Sequence, residues 1–193
     1  MTSSSPESPQ TTTVTVVLGG GGHTKEMLEI LKVSPVPFER INVVLASCDK
    51  HSLRMLQEEW PGMEVFKDVK VFKIPRPNNV LAGYSVVQMG HSLLASIRVA
   101  WWTGSEHLLC NGPGLCVPFC AIYRILHPFS SISYVESITR TQTLSLTGRI
   151  LQYFVDTFIV QSKDLARTVY PKRIFQRVFI IGSGSGQGQR RVL

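Results

Sequence analysis

Several motifs that mark zinc-binding, redox-active or secreted glycosylated proteins are absent from this sequence. The four cysteines include no Cys-x-x-Cys pair, and no Asn-x-Ser/Thr sequon occurs in the 193 residues. Both absences favour a reducing, cytosol-facing location. Cys110, Cys116 and Cys120 have apolar neighbours, and their spacing fits no common zinc pattern. We therefore expect these cysteines to be small buried hydrophobic residues, and we expect no metal site.

Acidic residues are scarce. Lys and Arg number 20 against 13 Asp and Glu, which gives a formal net charge of +7, and no Asp-x-Asp motif is present to hold a metal–nucleotide complex. The positive charge favours anionic partners, namely phosphate ligands, an acidic membrane surface or nucleic acid. The alternative is that the positive charge serves only as the solvated surface of a soluble domain. Nothing in the sequence calls for a cofactor.

The amino-terminal segment lacks the basic-then-apolar order of a signal peptide. Residues 1–12 are polar and Pro-rich, so they predict a disordered leader with neither a cleaved signal nor an anchor. With a hydrophobic content of 44%, the chain is long enough to bury one core, and we expect a single domain over residues 13–181. The Gly/Ser/Gln-rich residues 182–193 predict a flexible tail.

Strand and helix patterns alternate from residue 13 onward. Buried strands are predicted at residues 13–18, 41–47, 69–74, 107–110, 131–136, 156–161 and 177–181. Helices are predicted between them at residues 24–33, 50–59, 79–103, 114–126, 143–154 and 163–169. This alternation is typical of an α/β, Rossmann-like parallel sheet with helices on both faces. In such a sheet the ligand crevice lies outside the carboxyl ends of the strands.

A glycine-rich loop follows the first predicted strand. Four glycines, at positions 19 to 22, let the backbone approach a ligand, and the helix that begins near Thr24 directs its free amides at the loop. His23, at the tip, is a candidate base or phosphate-binding cation, or else a simple helix-start residue. The loop matches neither a P-loop nor a complete dinucleotide fingerprint. Asp49, after the second predicted strand, is still a candidate for the acidic residue that binds ribose in dinucleotide-binding folds. The expected phosphate contacts are Gly20, Gly21, Gly22, His23 and Thr24.

Two further loops follow predicted strands and carry ligand-binding residue types. The second loop leaves amides free for an anion or a sugar hydroxyl, and its candidates are Asn111, Gly112 and Gly114. The third loop supplies a carboxylate, a hydroxyl and a guanidinium, and its candidates are Glu136, Ser137 and Arg140. Glu136 has the alternative role of capping its own loop. Because parallel strands end at one edge of the sheet, the three loops are expected to converge.

Residues 79–103 form an unusually long apolar stretch. A helix of about 24 residues measures ~36 Å, enough to span a bilayer, but a regular polar stripe argues against spanning. The stripe contains Ser85, Gln88, Ser92 and Ser96; the apolar arc contains Val86, Val87, Met89, Leu93, Leu94, Ile97, Ala100 and Trp101. The default interpretation is a helix packed on the sheet. The alternative adds a membrane-interface contact through an outer edge of Tyr84, Arg98, Trp101 and Trp102.

Four segments together carry a family resemblance. They are GGGGHTKEML (19–28), CNGPGLCVPFC (110–120), YVESITRTQTLSLTGRIL (134–151) and DTFIVQSKDLARTVYP (156–171). In this order and spacing they resemble the membrane-recruiting subunits of the eukaryotic UDP-N-acetylglucosamine transferase of asparagine-linked glycosylation. The layout is also similar to the amino-terminal, acceptor-binding half of bacterial MurG, a two-domain GT-B glycosyltransferase.

The resemblance implies a subunit of a UDP-GlcNAc-dependent glycosyltransferase with a fold of the GT-B amino-terminal type. A smaller partner would hold the nucleotide sugar, so this chain is not expected to be active alone. The pair would add the second N-acetylglucosamine to dolichyl-diphosphate-N-acetylglucosamine on the cytosolic face of the endoplasmic reticulum membrane. No nucleic-acid partner is implied.

The resemblance also assigns roles within the three loops. The acceptor diphosphate and its sugar fall on these loops, with His23 and Glu136 as candidate catalytic residues. Two alternatives stay open. One is a self-sufficient nucleotide- or sugar-nucleotide-binding enzyme that uses the glycine loop and Asp49. The other is a non-catalytic membrane scaffold whose crevice is vestigial.

Overall fold

The computed structural model describes residues 12–32, 38–59, 68–75, 86–112, 114–169 and 177–180. Strands and helices alternate in these ranges in the predicted order. The strands are β1 (Thr12–Val17), β2 (Phe38–Ala46), β3 (Asp68–Ile74), β4 (His107–Asn111), β5 (Ser131–Val135), β6 (Thr157–Val160) and β7 (Arg177–Ile180). The helices are α1 (Gly22–Lys32), α2 (Lys50–Glu59), α3 (Val86–Trp102), α4 (Cys116–Leu126), α5 (Leu146–Leu151) and α6 (Lys163–Thr168). Apart from Thr12, the predicted leader and tail lie outside the described residues.

The strands form one parallel sheet in the order β3-β2-β1-β4-β5-β6-β7. The chain moves outward from β1 through β2 and β3, then returns to the other side of β1 as β4. Ligand crevices of open parallel sheets lie where the strand order reverses in this way, at the carboxyl ends of the strands. The predicted Rossmann-like class is confirmed, and the loops after β1 and β4 are neighbours at the switch point.

Helices cover both faces of the sheet, and each face has its own hydrophobic core. On one face, Met27 and Leu28 of α1 and Leu56 of α2 pack against β1 and β2. The opposite core takes buried residues from α3, α4, α5 and α6, among them Ala100, Phe119, Leu151 and Leu165. Side chains of a strand alternate between the two cores, as the pleat requires.

Cys110, Cys116 and Cys120 are buried free thiols, as the sequence predicts. Burial raises the pKa of the Cys110 thiol and of the Cys116 thiol, so both stay protonated at neutral pH and pack as small apolar side chains. In the described part of the chain, no group of three or more His, Cys, Asp or Glu side chains could hold a metal ion.

Several element boundaries differ from the predictions. Helix α5 begins at Leu146 rather than 143, because the Ser145 hydroxyl accepts from the Gly148 amide at 2.9 Å and caps the helix there. It also ends at Leu151, whereas the pattern predicts residue 154. Helix α1 begins at Gly22, two residues before the predicted start. The predicted first part of the third helix, residues 79–85, lies outside the described residues.

The helix α3 packs on the core with a face that includes two serines of the predicted polar stripe. Ser92 and Ser96 are buried, and the Ser96 hydroxyl donates to the Ser92 carbonyl at 2.8 Å. Most of the apolar arc within the described side chains faces outward instead, with Leu94 and Trp101 66% and 68% exposed, whereas Ala100 is buried in the core. Small serines let the helix lie close to the core, and a bond within the helix satisfies the Ser96 hydroxyl. No helix within the described ranges combines the length and hydropathy required to cross a membrane.

This orientation predicts an unusual pattern of stability. Ser96→Leu should lower the free energy of unfolding by about 1 to 3 kcal/mol, because the larger side chain overpacks the interface between α3 and the sheet. Leu94→Ser should change it by no more than about 0.5 kcal/mol, because Leu94 is exposed. Urea unfolding of both variants measures the two effects. A larger loss for Leu94→Ser than for Ser96→Leu would show that the apolar arc packs on the sheet after all.

Candidate functional site

The three predicted loops meet at the carboxyl edge of the sheet. His23 Nδ1, at the start of α1, lies 2.9 Å from Asn111 Oδ1, at the end of β4. Ser137, after β5, donates its hydroxyl to Glu26 Oε1 of α1 at 2.9 Å. These contacts join the loops that follow β1, β4 and β5 across the switch point of the sheet. The convergence expected from parallel topology is therefore present.

The glycine loop presents its backbone to solvent. Gly20 and Gly22 are exposed, and a Cβ at Gly22 would meet no atom within 4 Å. Gly21 has a φ of 69°, which favours glycine. The backbone then enters α1 directly, so the first amides of the helix and the positive end of its dipole lie at the loop. An open glycine backbone at the start of a helix can bind an anion through its amides.

Thr24 supports this loop from beneath. Its side chain is completely buried, and its hydroxyl donates to the Gly19 carbonyl and lies 2.6 Å from the Ser52 hydroxyl. Ser52 in turn donates to Asp49 Oδ2 at 2.6 Å, while the Ser52 amide donates to Asp49 Oδ1 at 2.9 Å. Burial leaves the Thr24 hydroxyl no access to a ligand, so the phosphate contact predicted for Thr24 stays a prediction that concerns its backbone amide. Asp49 is engaged as a cap of α2.

His23 rests directly on the second loop. Gly112 has a φ of 72°, and a Cβ there would overlap the imidazole ring, so only glycine allows the ring to pack against the backbone at this point. The His23 side chain is 33% exposed, whereas Asn111 is buried. One N–H of the Asn111 amide donates to Glu26 Oε2 at 2.9 Å. Asn111 thus holds His23 in place from a buried position.

Glu26 is the member of this site that sequence reasoning missed. Its carboxylate joins Asn111 on one oxygen and Ser137 on the other, and Oε2 lies 3.7 Å from His23 Nδ1. One signal was available in the sequence. Residues three apart on a helix share a face, so Glu26 follows His23 on the same side of α1.

Glu136 organises the third loop from within the protein. It is completely buried, and its carboxylate accepts from the Ser145 amide at 2.9 Å and from the Ser137 amide at 3.1 Å. A Cβ on Gly148 would overlap Oε2 of Glu136, so the glycine permits this close packing. Burial, followed by the nearby Glu136 charge, raises the pKa of Tyr134, whose phenol donates to Glu136 at 3.3 Å. The arrangement favours the alternative in which Glu136 caps its own loop.

The predicted site residues therefore divide into two groups. Asn111, Glu136 and Ser137 are buried, so their side chains support the loops rather than line an open surface. The open residues are Gly20, Gly22, Gly114 and Arg140, together with the partly exposed Gly21, Gly112 and His23. Among the described residues, no side-chain partner satisfies the guanidinium of Arg140, although its amide donates to the Ser137 carbonyl at 2.9 Å.

The residues predicted to contact a membrane lie away from this crevice. Arg98, Trp101 and Trp102 are on the outward face of α3, and Trp102 is 71% exposed. Tyr84 lies outside the described residues. The His127 ring bonds the Ala100 carbonyl at 2.9 Å, which fixes the segment with the exposed Phe129 beside the end of α3.

A comparison with solved structures identifies a protein of similar fold. The chain is similar to MurG of Acinetobacter baumannii, with a TM-score of 0.62 and 13% sequence identity. The match covers 88% of this chain and 45% of the MurG chain. At this identity the likeness concerns the fold alone, and it agrees with the predicted GT-B type.

Sequence comparisons identify relatives over most of the chain. The chain is 35% identical over 175 residues to the UDP-N-acetylglucosamine transferase subunit alg14 of Schizosaccharomyces pombe. This match covers 84% of this chain and 81% of the relative. The chain is 32% identical over 174 residues to the human subunit ALG14, with shares of 84% and 80%. The model of the family described as "Oligosaccharide biosynthesis protein Alg14 like" matches residues 14–179. The chain belongs to this Alg14-like family of oligosaccharide biosynthesis proteins.

Proposed function

We propose that this chain is the acceptor-binding subunit of a split UDP-GlcNAc transferase. It binds dolichyl-diphosphate-N-acetylglucosamine, and a smaller partner holds the nucleotide sugar. The relatives are named as subunits of a UDP-N-acetylglucosamine transferase, which supports a shared enzyme. The observation that carries the proposal is the open glycine loop, with a partly exposed imidazole at its end, at the switch point of the sheet.

The anion site suits a diphosphate linked to a lipid. The exposed amides of Gly20, Gly21 and Gly22 and the start of α1 supply donors without any bulky side chain. Arg140, on the neighbouring loop, offers a guanidinium that suits a phosphate or sugar oxygen. The net charge of +7 adds a general attraction for an anionic substrate.

His23 is the candidate catalytic base of the transfer. The acceptor hydroxyl oxygen bonds to C1 of the incoming N-acetylglucosamine, while the bond between C1 and the UDP phosphate oxygen breaks. The hydroxyl proton passes to the imidazole of His23, and UDP leaves with the bonding electron pair. The same ring, once protonated, lies beside the glycine loop and stabilises the phosphate charge.

The outward face of α3 is proposed to contact the cytosolic face of the endoplasmic reticulum membrane. Leu94, Ile97, Trp101 and Trp102 expose a large apolar area there, and Arg98 adds a positive charge. Interfacial helices combine these residue types, with aromatic rings at the headgroup level and basic side chains toward anionic lipid. The lipid acceptor resides in such a membrane, so this contact brings the crevice to its substrate.

Two observations bear on the rival functions. A self-sufficient sugar-nucleotide enzyme would use Asp49 on a ribose, but both Asp49 oxygens are bonded to Ser52. A scaffold with a vestigial crevice has no need for the ordered contacts among His23, Asn111 and Glu26. Both observations favour an acceptor site in use.

We predict that the purified chain alone transfers no N-acetylglucosamine from UDP-GlcNAc to a short-chain dolichyl-diphosphate acceptor. Transfer should begin when a donor-binding partner is added, because the described sheet supplies one Rossmann-like unit. Product formation from radiolabelled UDP-GlcNAc measures this, with the partner alone as the control. Sustained turnover by the isolated chain would refute the split enzyme.

Gly22→Val should abolish transfer by the complex while leaving the chain folded. A Cβ at Gly22 would meet nothing within 4 Å in the described part of the chain, so the added bulk points into the space where the diphosphate is proposed to bind. Gly90→Val is the matched control, since a Cβ at Gly90 also meets nothing within 4 Å and lies in α3. We expect a loss of about 100-fold or more in kcat/KM for Gly22→Val only. Normal activity of a folded Gly22→Val complex would remove the loop from the site.

The membrane contact predicts weak, salt-sensitive binding of the chain to anionic vesicles. Replacing Arg98 and Trp102 together by Ser should reduce vesicle co-sedimentation without unfolding, because both side chains are exposed. The matched control replaces Arg167 of α6 and Tyr153, just after α5, which are an exposed cation and an exposed aromatic residue outside α3. Equal loss in both double variants, or no loss in either, would exclude a specific role for α3.

A further inference from the structure

We propose that Glu26 is a positioning residue that sets the tautomer of His23 through Asn111, which leaves Nε2 as the proton-accepting atom. The inference rests on the proposed function for its catalytic meaning, but its structural part is independent of that function. Three consecutive contacts carry it: Ser137 to Glu26, Glu26 to Asn111, and Asn111 to His23.

The Glu26 carboxylate determines which of the neighbouring groups donate and which accept. An ionised carboxylate accepts hydrogen bonds and donates none. Ser137 donates its hydroxyl to Oε1, and Asn111 donates its Nδ2 to Oε2, both at 2.9 Å. With Nδ2 committed to Glu26, the side-chain oxygen of Asn111 is the atom that faces His23. The carboxylate therefore fixes which way round the asparagine amide lies.

The orientation of the Asn111 amide in turn determines which nitrogen of the His23 ring is protonated. Asn111 Oδ1 only accepts, so His23 Nδ1, 2.9 Å away, carries the proton of this bond. In the neutral ring the other nitrogen, Nε2, then holds the lone pair. A base needs a lone pair toward the substrate hydroxyl; the opposite tautomer would present an N–H that cannot accept the proton.

Packing holds this arrangement in place. The ring of His23 lies against Gly112, where a Cβ would overlap it, so the imidazole cannot turn toward that side without moving the loop. Asn111 is 1% exposed and the Glu26 side chain is 11% exposed, so water competes little for their bonds. The ring itself is one-third open to solvent. The buried pair thus orients an exposed base.

The test reads the tautomer directly. Long-range 1H–15N correlation spectra of the full chain, labelled on histidine, distinguish a protonated from an unprotonated ring nitrogen. Five histidines give a simple spectrum, and His23→Gln assigns the signal. We expect neutral His23 to show a protonated Nδ1 and an unprotonated Nε2. The opposite pattern in the wild-type chain overturns the proposal.

Glu26→Gln tests the source of the bias. A glutamine can donate as well as accept, so Asn111 is free to reverse and His23 should shift toward the tautomer with protonated Nε2. Glu26→Asp keeps an acceptor-only group and should retain part of the wild-type pattern. Glu29→Gln is the matched control on the same helix, since Glu29 is exposed and pairs with Lys32. An unchanged His23 signal in folded Glu26→Gln overturns the positioning role.

The activity of the reconstituted complex tests whether the tautomer matters for catalysis. For Glu26→Gln we expect kcat to fall about 10-fold to 100-fold, with KM for the acceptor changed less than about threefold. Glu29→Gln should keep the wild-type values. If the tautomers behave as expected but no partner restores transfer to the wild-type chain, the proposed function fails while the structural assignment stands. A Glu26→Gln complex with altered tautomer and full kcat overturns the catalytic meaning.

Discussion

The carboxylate of Glu26 lies where three loops of the sheet come together, and the arrangement of the crevice depends on it. It is acceptor-only, so it imposes a direction on each hydrogen bond around it: Ser137 and Asn111 must donate, and Asn111 must then turn its oxygen to His23. One charged group on α1 thereby ties together the loops after β1, β4 and β5. Parallel topology brings these loops close, and the carboxylate fixes their side chains.

Glycines and serines supply the space that this arrangement needs. Gly112 lets His23 pack on the second loop, and Gly148 lets the buried Glu136 cap the start of α5. In α3, Ser96 lets the helix approach the core while Leu94 and Trp101 face outward. The molecule thus separates two surfaces, a polar crevice at the carboxyl edge and an apolar helix face, which suits the proposed use of a diphosphate joined to a lipid.

Much of the fold follows from local sequence, whereas the detail of the site follows from tertiary contacts. Strand and helix alternation predicts the parallel sheet and hence the meeting of the three loops. The same pattern cannot reveal that Thr24 is buried under its own loop, because Ser52 of α2 is the partner that holds it there. Glu26 has the same difficulty, since its partners are 85 and 111 residues away. Hydropathy likewise does not reveal that Ser92 and Ser96 of α3 face the core while Leu94 faces outward, because close packing favours small side chains there.

The central claim is that the crevice of this chain binds the diphosphate of the acceptor. Backbone 1H–15N spectra of the full chain, titrated with a short-chain dolichyl-diphosphate-N-acetylglucosamine and separately with UDP-GlcNAc, test it directly. The amides of Gly20, Gly21, Gly22 and Gly114, the exposed or partly exposed loop glycines, should shift with the acceptor and stay unchanged with the nucleotide sugar. Shifts of these amides with UDP-GlcNAc alone, or none with the acceptor at saturating concentration, would contradict the account.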